Sequence, residues 1–215
     1  MKQLSLKTIN ASSPYDVMMV NPNTYRFVTD YSVEIAISFD LDDLLEHGEA
    51  YMFNITNVNK QRSPRDMKVR DTVIAIIDNF FETNEFALLY ICETGDRKQA
   101  MRNRLFDSWF AYANDKEQYV IMVANIQDLE GVDNYAAMIL RKDNPHFVDY
   151  VSEFNNTVNM FMLKPEHSQG GPIPQNLARL LMVRQPYSVA VLSTGGRFSS
   201  SSLRGGDRDE RWSLL

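Results

Sequence analysis

At 215 residues, 44% hydrophobic and 11% aromatic, the chain can bury one substantial core and is bounded at one or two domains. A net charge of −6 and a pI near 5.1 argue against a protein that grips phosphate backbones over its whole surface, though a local basic patch remains compatible. No stretch of 18 apolar residues predicts a membrane helix and the first residues lack the apolar core of a secretory signal. Cys92 is a lone cysteine, so a reducing, cytoplasmic location is expected.

In chain order, residues 1–22 read as a polar lead-in carrying Pro14 and Pro22. Thr24–Thr29 alternates as a strand. Ser32–Phe39 puts Val33, Ile35, Ile37 and Phe39 on one face at period two. The acidic stretch DLDDLLEHGE reads as a loop or one helical turn, and Ala50–Val58 as a third strand. After the loop NKQRSPR, Asp66 is placed to cap a helix whose stripe is Val69, Val73, Ile76, Ile77 and Phe80. Phe86–Cys92 is nearly continuously apolar, as a strand buried on both faces would be. A helix capped by Thr94 or Asp96 follows, to about Ala113. Tyr119–Asn125 and Tyr135–Leu140 read as a hairpin. Asn144-Pro145 opens a last helix with Phe147, Val151, Phe154, Val158 and Phe161 on one side.

The order βββ-α-β-α-ββ-α predicts an α+β, two-layer domain over residues 23–165, with a mostly antiparallel sheet and helices on one face. Residues 166–215 are set apart. From Ser168 onward there are six arginines, three acids and no lysine, giving +3 against −9 for residues 1–167. Rich in Ser and Gly, this segment reads as a disordered or non-native tail. Its dispersed arginines make a weak nucleic-acid arm.

The segment ICETGDRKQAMRNRLFDSWF, Ile91–Phe110, concentrates the candidate chemistry. On a helical wheel Met101, Leu105, Trp109 and Tyr112 fall together toward the core, Arg97 and Arg104 share one edge, and Arg102 lies on the other. Two readings stand. Arg97, Arg102 and Arg104 could bind an anion or a partner beside the free N–H groups of a helix start, or they could pair with acids of the domain and stack on Trp109 or Phe106. Phe106 and Phe110 flank the core stripe. Exposed they would form an interface, and covered they would be core.

Catalytic signatures are missing: no phosphate loop, nucleophile elbow or zinc spacing occurs, and no cofactor or metal is expected. Asp66 and Asp71 are separated by about 140° of helix and read as a cap and an ion-pair member. Asp40, Asp42, Asp43, Glu46 and Glu49 lack the spacing of a calcium loop.

The segments DMKVRDTVIAIIDNFFETNEFALLYICETGDRKQAMRNRLFDSWF and YAAMILRKDNPHF resemble a family of small uncharacterised bacterial proteins, a domain of unknown function, over about residues 24–163. The resemblance implies no substrate and no catalytic residues. Function is therefore expected at the level of a cytoplasmic, non-enzymatic interaction or regulatory domain, with a protein partner or a homodimer and neither nucleic acid nor membrane as partner. A phosphate-substrate enzyme or RNA-acting toxin using the arginine helix is the alternative.

Overall fold

A computed structural model describes residues 1–43, 45, 48–62, 64–92, 104–106, 108, 109, 118–127, 133–163 and 188–192. The elements are α1 (Leu6–Ser12), β1 (Met18–Asn21), β2 (Thr24–Val28), β3 (Glu34–Asp42), β4 (Ala50–Asn57), α2 (Met67–Thr83), β5 (Ala87–Cys92), β6 (Tyr119–Gln127), β7 (Asp133–Arg141), α3 (Phe147–Leu163) and β8 (Ser188–Leu192). Residues 104–106, 108 and 109 are also helical. The strands form a single sheet in the order β1-β2-β3-β4-β5-β7-β6-β8. Among the described residues only β4 and β5 pair in parallel, and the other pairs are antiparallel. The chain is thus α+β with a mostly antiparallel sheet, and its middle follows the order expected from the sequence.

The meander β2-β3-β4 needs only short turns, because antiparallel neighbours meet end to end. A parallel partner needs a crossover, and α2 supplies it between β4 and β5. Asp66 caps α2 as expected, accepting from the Lys68 N–H at 2.9 Å. The predicted stripe Val69, Val73, Ile76, Ile77 and Phe80 is buried, and Phe80 meets Phe39 with ring centroids 4.9 Å apart.

Alternation along the strands separates two cores. Tyr51, Phe53, Leu88, Tyr90, Ala137 and Ile139 point to the α2 face, together with Tyr25, Phe27, Ile35 and Ile37. Ala50, Ala87, Leu89, Met138 and Leu140 alternate with them and meet Tyr150, Phe154 and Val158 of α3. So α1, α2 and the helical residues Leu105, Phe106 and Trp109 lie on one face, while α3 adds a layer on the other, over the β4–β7 half. The Tyr150 ring holds α3 against the start of β4. Its hydroxyl donates to the Glu49 carbonyl at 2.9 Å, and a Cβ on Gly48 would stand 2.6 Å from its atoms, so a larger residue there would displace the ring.

Residues 1–22 differ from the expected lead-in. Leu4, Ile9, Tyr15 and Val17 enter the larger core, and the intervening backbone is satisfied by side chains far away in sequence. The Lys2 N–H donates to Asn84 Oδ1 at 2.7 Å, the Ser5 N–H to Asn79 Oδ1 at 2.8 Å, the Leu4 N–H to the Tyr25 hydroxyl at 3.2 Å and the Tyr15 N–H to Thr72 Oγ1 at 3.3 Å. Thr72, Asn79 and Asn84 are buried polar residues of α2 and its C-cap, and these bonds explain why polar groups are tolerated there. The acidic stretch also differs in part. β3 runs on to Asp42 because Asp40 and Asp42 pair with Met52 and Ala50, and Asp40 accepts from Ser38 Oγ and Asn54 Nδ2. In the expected tail, residues 188–192 form β8 beside β6; the rest of 164–215 lies outside the described residues.

Asn84→Ala removes an acceptor from the Lys2 N–H and a donor to the Phe80 carbonyl at the end of α2. Urea unfolding at neutral pH should show a loss of about 1–3 kcal/mol. A second expectation concerns alkali. Burial, then the hydrogen bond to Glu49, pushes the Tyr51 hydroxyl up to about 12, and burial likewise raises Tyr15, Tyr25 and Tyr150. An unfolded tyrosine ionises near pH 10, so above that pH the unfolded state holds fewer protons. Stability should be fully present below about pH 10 and fall as pH rises toward 12, measured as a falling denaturation midpoint.

Candidate functional site

Of the three arginines singled out by sequence, Arg104 is described and is exposed, at the rim where the helical wheel put it. Arg97 and Arg102 lie outside the described residues, as does Phe110. The phosphate-enzyme alternative therefore rests on a constellation of which only Arg104 can be placed. Leu105 and Trp109 are buried, in line with the predicted core stripe.

Phe106 does not present an interface. It is 8% exposed, its ring centroid lies 4.9 Å from that of Tyr90 and 5.5 Å from that of Trp109, and it belongs to the core on the α2 face. The helical wheel put it on the flank, but the segment settles so closely on β5 that its flank is covered as well as its centre.

The acidic candidates also resolve. Asp66 caps α2 and accepts from the Tyr15 hydroxyl at 2.5 Å. Asp71 pairs with Arg70 at 2.7 Å. Among the described residues no group of three His, Cys, Asp or Glu side chains could hold a metal ion. His146 is exposed, 3.7 Å from Asp149. Cys92 ends β5, but its side chain, like His47 and His167, lies outside the described residues.

A different surface gathers cations. Residues 58–70 hold five, Lys60, Arg62, Arg65, Lys68 and Arg70, against the single acid Asp66. Sequence reading passed over this run as a plain loop. Counting charge in a 13-residue window would have found it, since an acidic chain makes a local +4 stand out. The run leaves the carboxyl end of β4, where the β2–β3 turn also lies, because Val28 pairs with Glu34 and Ile35 with Asn57. β5 is parallel to β4, so its carboxyl end points the same way.

The turn and the loop are tied together. Asn59 Nδ2 donates to the Ser32 carbonyl at 2.8 Å, and Asn59 Oδ1 accepts from the Glu34 N–H at 3.2 Å. Ser32 and Lys60, which flank this clasp, carry left-handed backbones, with φ of 58° and 54°. From α2, Lys68 Nζ reaches Asp30 at 2.6 Å.

This geometry defines an α+β domain with one parallel crossover and a basic surface at the crossover's exit. Residues 65–156 match a family of unknown function (DUF6169), covering α2, β5, the β6–β7 hairpin and the first part of α3. The match falls inside the span recognised from the sequence, and it leaves β1–β4 and the β4–α2 loop up to Pro64 outside. No curated protein and no solved structure matches the chain. No helix among the described residues is long and apolar enough to cross a membrane.

Phe106→Ala should lower stability by about 3–5 kcal/mol through the cavity it leaves beside Tyr90 and Trp109. Arg104→Ala should stay within about 0.5 kcal/mol of the parent, as expected for an exposed side chain. Denaturant unfolding of the two variants side by side checks the contrast.

Proposed function

We propose that this chain is a non-enzymatic interaction domain of the cytoplasm that pairs with a second copy of itself through β1. The observation that carries this reading is the outer strand. Met18, Met19 and Val20 follow one another there at 53%, 37% and 51% exposure, and Val28 on the neighbouring strand is 49% exposed. An edge strand offers one row of unpaired N–H and C=O groups, and proteins usually guard it with charge. Here Met18–Asn21 carries none.

A two-fold contact sets each residue against its own patch, so a charge near the axis would meet its like. An uncharged strand suits that geometry in a chain whose net charge of −6 otherwise repels a second copy. The contact is short. The bulge between Met19 and Asn21 and the proline that follows, Pro22, limit the ladder. The dimer is accordingly weak and concentration-dependent. The lone cysteine supports the reducing location.

Sedimentation velocity over a wide concentration range should show reversible dimerisation, and Val20→Lys should shift the chain to monomer with its melting temperature kept. A parent that stays monomeric at the highest concentration, or a dimer indifferent to Val20→Lys, ends this reading.

A further inference from the structure

The basic loop has a consequence beyond self-association. Residues 58–70 carry a net +4, so the remainder of the chain carries −10. The acids nearest this loop are already engaged. Asp66 is buried against Tyr15 and the Lys68 N–H, Asp30 holds Lys68, Asp71 holds Arg70, and Glu34 holds Arg26 at 2.5 Å. Lys60, Arg62 and Arg65 are exposed and make no ion pair among the described residues. Three cations within six residues, without an ion-pair partner among the described residues, attract an anion.

The turn to which this loop is tied carries an aromatic ring. Tyr31, at the tip of the β2–β3 turn, is 49% exposed. The Asn59 clasp fixes that tip to the loop, and the Lys68–Asp30 pair fixes it to α2. The turn that carries the ring is thus tied to both ends of the segment that carries the cations.

We infer that Lys60, Arg62, Arg65 and Tyr31 form a binding surface for single-stranded nucleic acid. The cations take consecutive phosphates, and Tyr31 stacks on an unpaired base. Cations beside an exposed ring form the combination that single strands use, since every base has a face to stack and duplexes hide it. An acidic peptide would use the cations and leave Tyr31 idle. The six loop residues span at most about 20 Å, so the bound stretch is short and its affinity strongly salt-dependent. The surface does not involve the β1 edge, and Val20→Lys should leave it intact.

The test is fluorescence anisotropy of the full chain with labelled oligouridylate and oligothymidylate of about twelve nucleotides at low salt. Both should bind, more tightly than duplex DNA. K60A/R62A/R65A should weaken binding at least about tenfold, and should reduce the slope of log affinity against log salt by about two, some 0.7 for each phosphate no longer neutralised. Tyr31→Ala should weaken it about fivefold or more. Both variants should keep the parent's melting temperature. A chain with all six arginines from Arg179 to Arg211 changed to Gln should bind as the parent does. The inference is overturned by no binding at low salt, by equal binding of the triple variant, or by loss of binding in the Arg179–Arg211 variant instead. It is equally overturned if polyglutamate or vesicles of phosphatidylglycerol bind as tightly as the oligonucleotides.

Discussion

Because α2 leaves β4 and returns to β5, these strands run parallel, and they pair only over Ala50–Met52 and Ala87–Leu89. Three residue pairs join two antiparallel halves, β1–β4 and β5–β8, into one sheet. So narrow a seam needs support across it. On one face Phe80 of α2 supplies it, touching Phe39 on β3 and Tyr51 on β4, while its neighbour Phe81 reaches Tyr119 on β6. On the other face α3 covers the seam, with Tyr150 fixed to Glu49 just ahead of β4. The basic loop exists where it does for the same reason: it is the outward half of the crossover.

The regular elements were legible because their signals are local. The α2 stripe repeats at helical spacing, and the β5 run is apolar on both faces, as a strand lying fifth of eight requires. Residues 1–22 were not legible. Leu4, Ile9, Tyr15 and Val17 are too irregularly spaced to declare a period, and the side chains that accept from the Tyr15, Ser5 and Lys2 N–H groups, Thr72, Asn79 and Asn84, lie 57 to 82 residues away. Register and long-range pairing decide such a segment, and neither is written into its own composition.

The candidate site divides along the same line. The helical wheel placed Leu105, Trp109 and Arg104 as the structure has them. It could not show that Tyr90 closes over Phe106. For the basic loop the cations could be counted from the sequence, but which of them remain uncompensated could not. Lys68 is neutralised by Asp30, 38 residues earlier, whereas Arg62 and Arg65 have no such partner among the described residues.

The hydrogen bonds from residues 2–5 to α2 also order events in time. At synthesis speeds of about 5–20 residues per second, Lys2 is made roughly 4–16 s before Asn84. Until then Lys2 and Ser5 have no side-chain acceptor, and Leu4 and Ile9 have no complete core to enter. The beginning of the chain therefore completes the fold instead of starting it, and a nascent domain stalled before residue 79 would leave that stretch open to chaperones and proteases.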